Sequence, residues 1–236
     1  MSAYNLLVTV VIFVGVLIWL RAMDYIAHRG LISSRNSRKL IHIFTGPLFV
    51  LCWLLYDSSP GARYLAAVIP AIITLQFALI GLGIIKDEAS VKAMSRSGER
   101  SELLKGPVYY GIVFVVITTL YWMETPVGVV ALMLMCGGDG IADIVGRRFG
   151  RNPIPWNRKK TLEGSLAVLL GGWLMSIAVL AVMVAAGAFP APFSAYLWPV
   201  FLLAVAAALV ESLPFSDIDN VTVPLATILL GRLLLP

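Results

Sequence analysis

The chain has 236 residues, of which 59% are hydrophobic and only 13% charged, with a net charge of +5. Soluble domains carry roughly 25% charged residues, so this composition excludes one and implies a protein built in a membrane. The basic excess is concentrated in particular loops, which makes it a matter of topology and anionic lipid rather than of nucleic-acid binding.

A bilayer-crossing helix needs about 20 apolar residues. Such runs fall at 4–20, 40–56, 62–85, 107–123, 126–146, 163–188 and 195–213, with a weaker eighth at 220–235. The expectation is an all-α, polytopic integral membrane protein of seven or eight transmembrane helices, forming a single domain over 1–236. The first run has no basic residues before it and no small-residue cleavage site after it, so it reads as a retained helix rather than a secretory signal. No Arg/Ser-rich transit segment is visible, which favours a prokaryotic cytoplasmic membrane or a mature organelle form such as a thylakoid protein. Cys52 and Cys136 both lie in apolar runs and are expected to be buried thiols with no disulfide.

Loop 21–39 carries Arg21, Arg29, Arg35, Arg38 and Lys39, and at its end RKLIH (38–42) enters the second run. Arg38 and Lys39 suit snorkelling anchors. His42 lies one turn into an apolar helix, where it serves either as a helix–helix hydrogen bonder or as a base. Loop 86–106 carries Lys86, Lys92, Arg96, Arg100 and Lys105 and reads as a solvated amphipathic segment. It ends in Glu102-Leu-Leu-Lys105-Gly-Pro107, with Pro107 suited to a first helical position and Tyr109 and Tyr110 to an interfacial belt.

The most informative stretch runs from Gly137 to Ser165, beginning near the end of the 126–146 run. Asp139 and Asp143 are four residues apart and share a helix face. Carboxylates at membrane depth are costly and usually functional. Paired in this way they suit Mg²⁺, which takes one or two carboxylates plus phosphate oxygens and water. The plainer alternative is that each forms an ion pair with Arg147 or Arg148. Gly137, Gly138 and Gly140 beside them suggest an opened helix lining a cavity. Arg147, Arg148, Arg151, Arg158, Lys159 and Lys160 follow. Lys159 and Lys160 can neutralise phosphate charge, and Thr161 can cap the next helix, with Glu163 as its second residue. A basic anchor plus a cap is the alternative.

With loops one, three and five basic, the positive-inside rule puts them in the cytoplasm and the N-terminus outside. Loop 211–220 shares that side by parity, yet carries Glu211, Asp217 and Asp219 and no base. Its Asp217–Asn220 turn either completes a metal shell or is a plain Asx-type connection.

Four blocks now come into order: RKLIH, ELLKGPVYY, GGDGIADIVGRRFG with PWNRKKTLEGS, and ESLPFSDIDNVTVPL. Together they resemble the CTP-dependent polyprenol kinases, a group that includes phytol, dolichol and yeast-type diacylglycerol kinases. The ELLKGPVYY element and compact length look most like the phytol and farnesol kinase branch. The resemblance implies a CTP donor, Mg²⁺ and a membrane lipid-alcohol acceptor. It implies metal binding by Asp139, Asp143 and Asp219, and nucleotide binding by Arg38, Lys39, Arg147, Arg148, Asn157, Lys159, Lys160, Thr161, Glu163 and Ser165. Catalysis would rest on Asp139, Asp143, Lys160 and His42, one of the aspartates or His42 taking the alcohol proton. The expected reaction is in-line γ-phosphoryl transfer at the cytoplasmic face.

CDP-diacylglycerol synthases are similar in the acid–glycine segment and the basic K-T-x-E-G turn, making cytidylyl transfer to a lipid phosphate the alternative. Their D-R-x-D-S ending is absent here. Intramembrane acids also mark transporters, but no internal repeat pairs the halves, and the charges gather on one face.

Overall fold

The structure is a computed structural model, and it describes residues 2–215 and 218–236, without the side chains of Ser34, Arg35 and Asp139. Asp217, one of the loop acids noted above, lies outside the described residues. The described chain is helical apart from one small hairpin. Its elements are α1 (Ala3–His28), α2 (Ser34–Leu51) with a 3₁₀ turn (Cys52–Leu55), α3 (Ala62–Leu82), α4 (Glu88–Met94), a second 3₁₀ turn (Arg100–Leu104), α5 (Gly106–Leu120), α6 (Pro126–Phe149), β1 (Pro153–Ile154), β2 (Asn157–Thr161), α7 (Leu162–Ala185), α8 (Ser194–Ser212) and α9 (Asp219–Leu234). Seven helical segments are long and apolar enough to cross a membrane. α9, where the weaker eighth run falls, has 16 residues and is not among them. Neither Cys52 nor Cys136 is in a disulfide.

Contacts cluster into two compact units, Met1–Thr45 with Leu55–Leu120, and Gly46–Leu54 with Tyr121–Pro236. In the first, α1 packs on α3 and α4, and α3 on α5. Met23, Ala27, Ile41, Phe77, Ile80, Ala93, Met94 and Leu103 form its core. α3 stops at Gly83, whose φ of +80° is the left-handed conformation that glycine adopts without a Cβ penalty.

Loop three is not the solvated segment its charges suggest. The Asp87 carboxylate caps α4 by accepting from the Ser90 amide at 3.0 Å, and Ala93 and Met94 enter the core. The Ser90 hydroxyl, itself buried, lies 3.1 Å from Asp24 and 3.0 Å from Asp87. Two buried apolar residues and a cap suffice to dock a seven-residue helix, a pattern that flanking charges conceal in the sequence. Burial raises the cost of charge on Asp87, but bonds from Ser90 and Arg21 outweigh it and lower its pKa.

At the opposite end of α1, Asn5 is fully buried. Its Nδ2 donates to Asp57 Oδ1 at 2.6 Å and Ser59 Oγ at 2.9 Å, and its Oδ1 accepts from the Asp57 amide at 3.0 Å. Bonds from Ser59 and Asn5 to the carboxylate lower the Asp57 pKa to about 2.

In the second unit α6 packs against α7, α8 and α9. Every residue from 129 to 136 is at most 1% exposed. An all-round apolar helix is what such enclosure requires. α6 is a continuous helix through Gly137, Gly138 and Gly140, so the expected opening is absent. The glycines instead let α7 come close: a Cβ on Gly137 would lie 2.7 Å from the Gly171 carbonyl oxygen, and one on Gly172 2.9 Å from Leu134. Close contact with α6 explains Gly171 and Gly172.

Gly137→Ala should lower the thermal midpoint in detergent, since overpacking costs about 1–3 kcal/mol, whereas Gly15→Ala, with nothing within 4 Å of its Cβ, should not. A lowered carboxyl pKa contributes stability that is fully present above the unfolded value and lost as pH falls through the folded one. The midpoint difference between wild type and Asp57→Asn should therefore hold above pH 3.8 and fade as pH approaches about 2.

Candidate active site

The Gly137–Ser165 stretch forms one end of the second unit. α6 carries Asp139 and Asp143 one turn apart in its last turns and ends at Phe149, followed by Gly150. β1 and β2 form an antiparallel hairpin with an irregular register, pairing Pro153 with Thr161 and Ile154 with Asn157. Ile154, 1% exposed, anchors it in the interior. Thr161 then caps α7, its hydroxyl accepting from the Gly164 amide at 3.2 Å, as expected.

The hairpin is pinned by side chains on both flanks. Glu163, second residue of α7, accepts from Asn152 Nδ2 at 2.8 Å and from the Asn152 amide at 3.3 Å. Asn157 Nδ2 donates to the Ser212 and Leu213 carbonyls, each at 3.2 Å. Trp156 Nε1 donates to Ser212 Oγ at 3.2 Å. Thus Asn157, Thr161 and Glu163 all have visible structural duties. The Ser165 hydroxyl is buried and makes no hydrogen bond within the described structure.

Lys160 is the centre of the arrangement. Its ammonium donates to Glu211 Oε1 at 2.7 Å, to the Glu211 carbonyl, and to Asp219 Oδ2 at 3.2 Å. Loop-seven acids expected on the same membrane face as loop five are therefore in contact with it. Burial disfavours the charge on Lys160, but Glu211 foremost, then Asp219, outweigh it and hold the pKa above the ordinary lysine value. Glu211 was legible only as a loop acid. It is a buried carboxylate at the end of an apolar run, the same signal that singles out Asp139.

Asp143 Oδ2 accepts from Arg147 Nη2 at 2.8 Å, an i,i+4 pair that is partly exposed. Arg148 is exposed and lies beside Phe149. Arg158 and Lys159 are exposed too. The Asp139 side chain is outside the described set, so its relation to Asp143 rests on the helix backbone. Among the described residues, no three or more His, Cys, Asp or Glu side chains gather in a metal-holding group. Mg²⁺ asks for fewer: one or two protein carboxylates satisfy it when phosphates and water fill the shell.

Arg38, Lys39 and His42 belong to the first unit. Lys39 is 3% exposed. The His42 ring packs on Tyr110 with centroids 4.4 Å apart, and the Tyr110 hydroxyl donates to the His42 carbonyl at 3.1 Å.

No family model and no solved structure matches the chain. Curated relatives do. The chain is 41% identical over 228 residues to a probable chloroplastic phytol kinase of Triticum aestivum, covering 96% of this chain and 76% of that protein. It is 39% identical over 227 residues to chloroplastic phytol kinase 1 of Arabidopsis thaliana, covering 95% and 75%. The chain belongs to the phytol kinase family. A match of this extent carries the family beyond the four blocks that first suggested it, and it includes the whole Gly137–Ser165 end of the second unit. A third phytol kinase relative, a probable chloroplastic protein of Oryza sativa subsp. japonica, is 42% identical over 216 residues, with 91% and 71% covered.

A raised lysine pKa contributes stability below the unfolded value that is lost only as pH rises through the folded one. Lys160→Met leaves the Glu211 carboxylate buried without its cation, a loss of about 3 kcal/mol, read as a lower thermal midpoint. That deficit should stay constant from neutral pH up to the ordinary lysine value of 10.5 and shrink only beyond it.

Proposed function

We propose that this protein is a CTP-dependent lipid-alcohol kinase that phosphorylates phytol, or a closely similar isoprenoid alcohol, at the membrane face bearing its basic loops. The observation that carries the proposal is the near-full-length likeness to proteins named phytol kinase, joined to an acid-and-base end of the second unit that suits a nucleotide phosphate. By the positive-inside rule that face is the cytoplasmic one, or its equivalent in a chloroplast, where the relatives' names place them. CTP as donor rests on the motif resemblance.

The long prenyl tail would stay in the bilayer, favoured by about 0.8 kcal/mol per buried CH₂. Its hydroxyl would sit near the interface, level with the end of α6. The alcohol oxygen attacks the γ-phosphorus in line, a new O–P bond forms, the bond to the β-phosphate oxygen breaks, and CDP leaves. The alcohol proton passes to one of the aspartates, Asp139 or Asp143, or to His42. There is little covalent work for the protein, so positioning and electrostatics dominate. Asp139 and Asp143 would hold Mg²⁺, which supplies charge neutralisation for the phosphates. Arg147, Arg148, Arg158 and Lys159 lie in the exposed basic segment and would meet the remaining phosphate charge. Arg147 would exchange its pairing with Asp143 for the nucleotide.

Purified protein in detergent, given γ- or α-labelled CTP with phytol, farnesol, dolichol, diacylglycerol or phosphatidate, tests the reaction. Label should reach phytol from the γ position alone. Transfer of α label to phosphatidate would instead identify a cytidylyltransferase. Asp139→Asn and Asp143→Asn should each lower Mg²⁺-dependent turnover by about 10²-fold, the scale of losing one charge-stabilising group. Full turnover in either variant would remove that residue from the metal site.

A further inference from the structure

The two adjacent lysines of the hairpin occupy different environments. Lys160 is half-buried, and an ammonium has three N–H donors. All three have acceptors: Glu211 Oε1 at 2.7 Å, the Glu211 carbonyl oxygen, and Asp219 Oδ2 at 3.2 Å. Two carboxylates around one ammonium leave the group with no uncompensated positive charge. A phosphate approaching it would meet occupied donors and the negative charge of Glu211 and Asp219. Lys159, one residue earlier, is exposed. Its backbone is fixed by the amide donating to Asn157 Oδ1 at 3.3 Å, while Asn157 itself is tied to the end of α8.

We infer that Lys160 is a positioning residue that, with Glu211 and Asp219, clamps the hairpin to the ends of α8 and α9, and that Lys159 is the lysine that meets the nucleotide phosphates. The inference rests on the kinase reading given above and divides a role that the Lys-Lys pair otherwise shares. It also assigns Asp219 to the clamp rather than to a metal. The nucleotide's phosphate charge is met at the exposed strand residue because a flexible four-carbon stem ending in a hydrated ammonium is free to follow it. The clamp's duty is to keep that strand seated while the phosphates bind and leave.

The test uses the full chain in detergent and five proteins: wild type, Lys159→Gln, Lys160→Gln, Glu211→Gln and the Lys160→Gln/Glu211→Gln double variant. The first readout is the rate of chymotryptic cleavage after Trp156, an exposed hairpin residue left unchanged in all five. Cleavage should accelerate about tenfold in Lys160→Gln and in Glu211→Gln, as a locally loosened segment would, and stay at the wild-type rate in Lys159→Gln. The second readout is steady-state phosphorylation of phytol by CTP. Lys159→Gln should raise KM for CTP about tenfold with kcat within about threefold, the signature of lost ground-state binding. In both readouts the double variant should be no worse than the poorer single variant, because the two groups act as one unit.

The inference is overturned if Lys160→Gln raises KM for CTP as Lys159→Gln does while cleavage stays at the wild-type rate. It is equally overturned if Glu211→Gln changes neither readout. If Lys160→Gln does not fold, Glu211→Gln decides alone: faster cleavage after Trp156 supports the inference, and a wild-type rate overturns it. Absence of γ-label transfer by the wild type would defeat the kinase reading, while the cleavage rates would still decide the clamp.

Discussion

The contact on which the second unit depends is the backbone approach of α6 and α7. At Gly137 and Gly171 the two helices are so close that a single methyl group on either would meet the other's carbonyl oxygen at under 3 Å. That closeness encloses α6 so fully that residues 129–136 lose contact with solvent or lipid. An enclosed helix has a fixed rotation, since turning it would break packing on every side. The azimuth of Asp139 and Asp143 is thereby set two turns before any loop begins. Gly137 and Gly138, ahead of the acids, serve close packing rather than opening.

From that rigid pair the chain turns through a hairpin too small to hold itself. Two strands of two and five residues have almost no core, and an isolated hairpin is marginal in water. Stability comes from outside it: Ile154 inserted below, Glu163 on one flank, and Trp156, Asn157 and Lys160 reaching the ends of α8 and α9. Removing one partner of a half-buried charge cluster leaves the others uncompensated, so the basic segment is stable only as a set. Segments more than fifty residues apart share responsibility for it.

Apolar run lengths located the long helices to within a few residues, except that α1 extends to His28, beyond the run that ends at 20, and α2 spans Ser34–Leu51 where the run is 40–56. Polar residues such as Arg21 and Asp24 mask that extension, because Asp24 is buried against Ser90 rather than solvated. The cap at Thr161 was legible because it depends on neighbours in sequence. Glu211 on Lys160 was visible only as a shared membrane side, since contact between residues 51 apart is set by helix packing that no local pattern encodes. The docking of α4 was hidden for the same reason. The glycine-rich segment was misjudged as an opened helix because glycine signals both an unwound backbone and a close crossing, and only the partner helix distinguishes them.

The shortness of α9 bears on the lipid around the protein. Its 16 residues rise about 24 Å, against a hydrocarbon layer of about 30 Å, and Leu225, Leu229 and Leu233 line it outwardly. Were α9 to cross the membrane, such a mismatch of about 6 Å would be met by thinning of the adjacent bilayer or by flanking groups reaching for the interface, each at fractions of a kcal/mol per Å. Because α9 begins at Asp219, within the Lys160 cluster, thinning beside it would place the headgroup level deeper at that point. A membrane-anchored hydroxyl would then have less distance to rise to meet a water-borne nucleotide.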